Sequence, residues 1–204
     1  VSLQLGGQWI HKNLSLNIES NRIVALMGDS GCGKTTLMRE ILRLQRIHSG
    51  EIYFKGYCVQ GAVPSPQKEV DDLLTSKIAM MFQSGVLFTS MTVLENVMFP
   101  LQEFSKFSQK DITHLAKIKL RMVGLDATAF SKYPAELSGG MVKRTAIART
   151  LILDPEVLFL DEPTAGLDPL GADAFDEMLL QLQKNLSLTI LMVTHDVSSV
   201  LNIV

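Results

Sequence analysis

Three short apolar runs divide the chain: residues 23–27, 157–160 and 188–193, each ending abruptly in turn or polar residues. They are apolar at successive positions and rich in β-branched and aromatic residues. That pattern predicts strands covered on both faces, as in the parallel sheet of an α/β protein. Segments 1–5, 14–18, 51–54 and 57–59 alternate or turn quickly, and predict strands of a smaller antiparallel layer with Gly56 at a hairpin turn. A helix is predicted from Lys34 to Leu44. A second runs from Leu170 to Lys184, where Phe175, Met178, Leu179 and Leu182 fall at i, i+3, i+4 and i+7 and mark one buried face. Between 84 and 151 the texture changes to helical segments broken by Pro100, Gly124, Pro134 and Gly139, which predicts a helical lobe inserted into a single domain whose core is 1–83 and 152–204. Residues 63–65, followed by Pro66, read as a surface loop, and no internal repeat or low-complexity tract is present.

Composition narrows the class. At 204 residues, 47% hydrophobic and 20% charged, the chain can bury a substantial core, which excludes a disordered tail or a small disulfide scaffold. Nineteen Lys and Arg against twenty-one Asp and Glu leave a net charge of -2, so no sequence-wide basic field exists to grip nucleic acid, and none is expected as a partner. Cys32 and Cys58 lie in dissimilar surroundings and form no CxxC pair, so both read as free thiols in a reducing compartment. No stretch approaches the roughly 18 apolar residues of a membrane span, and the start lacks the layout of a signal peptide, so the chain reads as soluble. It opens without Met and stops soon after a strong motif, which points to trimming, at the C-terminus above all.

Gly28-Asp29-Ser30-Gly31-Cys32-Gly33-Lys34-Thr35 has the spacing of a Walker A loop and its required context, after a strand and before a helix. The plain alternative is a glycine-rich turn with a solvated lysine, and the flanking elements argue against it. Glycines let backbone N–H groups turn inward around a β-phosphate, and the helix N-terminus adds a positive dipole. Lys34 reaches the β and γ oxygens, Thr35 can ligate Mg²⁺, and Thr36 adds an α-phosphate contact. ATP and Mg²⁺ are therefore the expected cofactors. Asp29 is expected to point away from the phosphates that it would repel, and Cys32 to serve in packing.

The run 157–160 ends in Asp161 and Glu162, which puts two carboxylates at the C-terminal end of a buried strand, where open α/β sheets bind ligands. Asp161 is expected to hold Mg²⁺ through water, and Glu162 to polarise the attacking water as the catalytic base. Alone, such a pair is as readily a strand meeting a polar turn; the phosphate loop decides between the two. His195 ends the next apolar strand and is expected to donate a hydrogen bond to the γ-phosphate.

Leu137-Ser138-Gly139-Gly140, followed by Lys143 and Arg144, resembles the signature motif of ATP-binding cassette (ABC) ATPases. The resemblance covers essentially the whole chain in family order, with Walker A, a Q-loop at Gln83, the signature, Walker B, a D-loop at 165–168 and a switch histidine. It implies a P-loop NTPase of the ABC type: α/β, with a mixed core sheet, an antiparallel β subdomain and an inserted helical subdomain. By the same resemblance Gln83 senses Mg²⁺ and the attacking water, and two protomers pack head to tail. Ser138, Gly139 and Gly140 of one then close on the γ-phosphate held by the other, Asp168 contacts the opposite protomer, and hydrolysis reopens the dimer. Physically, Ser138 is a good N-cap, and the glycines permit close backbone approach to an anion. Three departures stand out. Met141 replaces the usual glutamine, Leu5 stands where an adenine-stacking aromatic is usual with Trp9 nearby, and the strands that normally follow the switch histidine are missing.

Gln83-Ser84-Gly85-Val86-Leu87-Phe88, Thr92-Val93-Leu94-Glu95-Asn96-Val97 and the Met141 signature together look like the ATPases of Mla-type, MCE-associated phospholipid transport systems. That resemblance implies an ATPase peripheral to the cytoplasmic face of the inner membrane, beneath an integral permease and an MCE-type lipid-binding protein, serving outer-membrane lipid asymmetry. Segment 86–101 would then receive a permease coupling helix, or simply form lobe core. A generic importer or lipoprotein-release ATPase is the transport alternative. A non-transport cassette in translation or DNA repair is the alternative from another class, and the short lobe disfavours it.

Overall fold

The computed structural model describes residues 1–29 and 31–204. In chain order its elements are β1 (Leu3–Leu5), β2 (Gln8–His11), β3 (Ile23–Leu26), α1 (Lys34–Ile41), β4 (Ile52–Phe54), β5 (Tyr57–Gln60), α2 (Gln67–Lys77), β6 (Ile78–Met81), α3 (Val93–Phe104), α4 (Gln109–Met122), α5 (Gly139–Thr150), β7 (Val157–Asp161), α6 (Pro169–Leu186), β8 (Thr189–Val193) and α7 (Val197–Ile203).

Four strands form the central sheet in the order β3-β8-β7-β6, every pair parallel. The mixed character expected of the sheet is divided: the core is wholly parallel, and antiparallel pairing is confined to the hairpins β1-β2 and β4-β5. The second hairpin turns at Lys55 and Gly56, both at positive φ (52° and 82°), as a two-residue turn with the right twist requires. Strand alternation makes two cores. Leu158, Leu160, Ile190 and Met192 face α6, through Phe175, Met178, Leu179 and Leu182, and the helical lobe. Phe159, Leu191 and Val193 face Met38 of α1 on the other side.

Several expectations change. Residues 14–18 form no strand: Asn13 turns at φ 53°, Leu14 bonds only to Val1, and no neighbouring strand lies in register to pair the rest. Helix α1 stops at Ile41 rather than Leu44, because Arg43 takes φ 60° and the N–H of Leu44 bonds back to Arg39, a Schellman closure. Pro100 does not break the lobe. It sits inside α3, whose capping box of Thr92 and Glu95 and buried Val93, Val97, Met98 and Leu101 offset the ~3 kcal/mol a helical proline costs. Gly124 (φ 76°) does end a helix, and Pro134 opens a short 3₁₀ turn. Strand β2, helix α2 and strand β6 had no distinct pattern. β6 follows α2 without a turn residue, so its apolar run merges with the helix.

Candidate functional site

Because the four core strands are parallel, their C-terminal ends share one edge. Leu26 and Asp161 both stand beside Val193 in the sheet register. The phosphate loop leaving β3, the acid pair ending β7 and His195 just beyond β8 are thereby brought together, and the 83–85 turn follows β6 on the same edge.

Gly33 is the N-cap of α1 at φ 99°, and a Cβ there would run into Ile10 Cγ2 of β2, so only glycine fits. Lys34 donates from Nζ to the carbonyls of Gly28 (2.8 Å) and Asp29 (2.9 Å), so its ammonium lies over the loop. Asp29 is exposed, in keeping with an outward carboxylate, while Ser30 lies outside the described residues. Cys32 is also exposed, with Sγ 3.7 Å from Lys34 Nζ. The packing role expected of it is therefore wrong: the loop that carries it stands clear of the core. Cys58 is buried, and both thiols are free. Thr36 is half-buried in the first turn of α1.

Thr35 Oγ1 donates to Asp161 Oδ1 at 3.0 Å across the sheet edge, and Asp161 is buried. A hydroxyl and a carboxylate side by side are the hard oxygen donors of a small divalent cation such as Mg²⁺. Among the described residues no group of three or more His, Cys, Asp or Glu is placed to hold a metal ion. One residue on, Glu162 Oε1 lies 2.8 Å from His195 Nδ1. The hydrogen bond to Glu162 and its charge raise the His195 pKa above its ordinary value, which favours the imidazolium. A recess of about 370 Å³ opens beside this pair, lined by Glu162, the 164–167 turn and His195 to Val197.

Ser138 N-caps α5, accepting from Met141 N at 3.3 Å. Gly139 and Gly140 open the helix, and a Cβ on either would meet only Leu167 Cδ2, at 3.8 and 4.0 Å, so this helix start presents bare backbone. Among the described residues it makes no hydrogen bond to the phosphate loop. Asp168 has a local duty as N-cap of α6, accepting from Gly171 N at 3.0 Å. Gln83 is exposed, and its carbonyl accepts from Lys143 Nζ. Trp9 is exposed on β2, with Lys12 over its ring and His48 at its edge.

Two polar residues carry more than their motif positions indicated. Lys143 is buried within α5, where burial lowers its pKa and the nearby charge of Glu162 opposes the shift. Asn96 is fully buried and makes four hydrogen bonds to Phe88, Met91 and Thr92, tying the 88–92 loop to α3. For Asn96 the signal was a polar residue on a largely apolar helix; Lys143, among the other polar residues of α5, gave none. A larger cavity, about 720 Å³, lies between 14–21, β4 and the opposite edge of the sheet, and it contains none of the site residues.

The family model described as ABC transporter matches residues 11–165. The intermembrane phospholipid transport system ATP-binding protein MlaF of Haemophilus influenzae is 37% identical over 203 residues, spanning all of this chain and 75% of that protein. MlaF of Escherichia coli is equally identical, over 74% of its length. A probable ribonucleotide transport ATP-binding protein of Mycobacterium leprae is 34% identical over 95% of this chain and 54% of its own. Among solved structures, the dimeric cassette MJ0796, described as a bacterial ABC transporter cassette, superposes with a TM-score of 0.84 at 30% identity, over 99% of this chain and 88% of that one. The protein named cbiO1 of Clostridium perfringens, part of the ABC transporter complex cbiONQ, reaches 0.88 at 31% identity, over 99% and 79%. With the phosphate loop, the acid pair and the capped signature helix in the places described, this chain belongs to the ABC transporter ATPase family.

Proposed function

We propose that this ATPase powers phospholipid transport, and that the cluster at the C-terminal edge of the sheet is its hydrolytic site. The observation that carries the catalytic part is the pairing of Thr35 with Asp161 and of Glu162 with His195 on one sheet edge. Backbone N–H groups of residues 28–35 and the Lys34 ammonium hold the β- and γ-phosphates of ATP. Thr35 and Asp161, with Gln83 from the lobe side, would hold Mg²⁺, which neutralises charge on the phosphate oxygens when bound. Glu162 accepts the proton of the attacking water, and His195 orients the Glu162 carboxylate and donates to the γ-phosphate. Thr36 supports the α-phosphate.

Two copies act together. Ser138, Gly139 and Gly140 of one copy cap the γ-phosphate on the other, so loss of that phosphate removes part of the differential binding that holds the pair closed. The reading divides the single domain into a core of 1–83 and 152–204 and a helical subdomain of 84–151, which meets an integral permease. Among the described residues no helix is long and apolar enough to cross a membrane, so the chain would attach peripherally, on the cytoplasmic face of the inner membrane. The phospholipid cargo, and an MCE-type lipid-binding partner with it, rest on the full-length similarity to MlaF. A ribonucleotide cargo, which the mycobacterial relative's name mentions, is the second reading.

Glu162→Gln tests the site. In the assembled transporter, turnover should fall roughly 10²- to 10⁴-fold, the usual worth of a general base, while ATP-dependent pairing of two copies persists. Wild-type turnover would refute the assignment. Purification from native membranes with lipid analysis tests the cargo: co-purifying phospholipid and an MCE-type protein support the reading, and their absence sinks it.

A further inference from the structure

Lys143 stands on α5 with 6% of its surface exposed, yet no carboxylate pairs with it among the described residues. Its Nζ instead donates to two main-chain carbonyls, those of Gln83 and Glu162, each at 3.3 Å. A buried ammonium is costly unless hydrogen-bonded, so an apolar residue would serve this position better if packing were its only duty. The two carbonyls belong to different parts of the machine. Gln83 lies where the chain leaves β6 for the helical lobe, and Glu162 follows the last residue of β7.

Glu162 itself is held in an unusual conformation. Its φ is 47°, a left-handed setting that strains a non-glycine residue and persists only where surroundings enforce it. Its N–H donates to the carbonyl of Val193 at 2.8 Å, and its carbonyl accepts from Ala165 N at 3.2 Å as well as from Lys143. The direction of the Glu162 side chain follows from the orientation of this peptide. One of the three bonds fixing it comes from the helix that starts at Ser138.

We propose that Lys143 is a positioning residue for ATP hydrolysis, its ammonium tying the Glu162 carbonyl to that of Gln83 so that the lobe's placement against the core sheet sets the aim of the Glu162 carboxylate. The proposal rests on Glu162 being the base. Lobe movement would tighten or release the tie, and turnover would follow while the grip on ATP would not, since Lys143 makes no hydrogen bond to the described residues of the phosphate loop.

The test uses the full-length protein assembled with its permease. Lys143→Met should lower kcat about tenfold or more with KM and ATP affinity changed less than about twofold. Lys143→Arg, which keeps charge and donors, should recover kcat to within about threefold of wild type. In a Glu162→Gln background Lys143→Met should add no further loss, because the group it aims is gone. Wild-type kcat in Lys143→Met, parallel deterioration of kcat and KM, Arg no better than Met, or losses that multiply with Glu162→Gln would each overturn the proposal. Should Lys143→Met fail to fold, Lys143→Gln carries the same comparison: reduced kcat at unchanged KM supports the tie, and any other pattern overturns it. An active Glu162→Gln would instead remove the reading of Glu162 as base. A dead Glu162→Gln beside a fully active Lys143→Met would remove only the role given to Lys143.

Discussion

Glu40, in the last turn of α1, is fully buried, and its Oε2 lies 2.9 Å from Nε2 of His11 on β2. Neither carboxylate oxygen meets an aligned donor. Burial accordingly raises the Glu40 pKa from 4.5 to about 7, and also lowers that of His11, so both groups favour their neutral forms. A protonated Glu40 donating its O–H to His11 would satisfy both. The folded protein thus keeps a proton that the unfolded chain releases between pH 4.5 and about 7, and stability falls as pH rises through that window. At 1.36 kcal/mol per pH unit, full ionisation of Glu40 removes on the order of 3 kcal/mol. Glu40→Gln deletes this titration. Urea denaturation of both nucleotide-free proteins from pH 5 to 8 should show the stability of Glu40→Gln relative to wild type increasing by ~2.5 kcal/mol across the range, the remainder being lost below pH 5. The slope of that difference, rather than its absolute value, reports the titration of Glu40 together with its coupling to His11, 2.9 Å away. A flat difference would mean that the carboxyl is ionised at no unusual cost, and the account of this pair would fail.

Lys34→Ala should weaken ATP binding by about 10- to 100-fold, the worth of a charge-assisted contact to phosphate, with little change in nucleotide-free stability because its present bonds are exposed; isothermal titration showing normal affinity would contradict the phosphate-cradle reading. Asn96→Ala should cost roughly 2–3 kcal/mol in chemical denaturation, since it takes the partner from the Phe88 N–H and the Met91 carbonyl, while the Phe88 and Thr92 carbonyls keep the N–H groups of Met91 and Asn96, and a cost below about 0.5 kcal/mol would show that the loop re-satisfies itself.

The sequence disclosed this site unusually well where local chemistry is self-contained. Glycine spacing, a strand ending in two acids and a serine-capped helix start each need only their own few residues, so the Walker A loop, Asp161, Glu162 and Ser138 could be found before any fold was known. The strand at 14–18 could not be judged in that way, because alternation is necessary for a strand but a partner in register is what makes one. Pro100 was misleading for a related reason: the packing of α3 against the rest of the lobe outweighs the local cost of proline. The cysteine in the loop was misassigned because exposure depends on where the loop projects, and the residue type says nothing of that.

The order and chemistry of the motifs, the two-faced burial of the core strands and the apolar face of α6 were written in the chain itself. These follow from bonds and periodicities that span a few residues. Only the tertiary structure decided that Thr35 meets Asp161, that His195 meets Glu162, and that a lysine in the signature helix reaches the main chain of both Gln83 and Glu162. Such contacts join residues from 19 to 126 positions apart, and their geometry is set by strand register and helix placement, which no local pattern encodes.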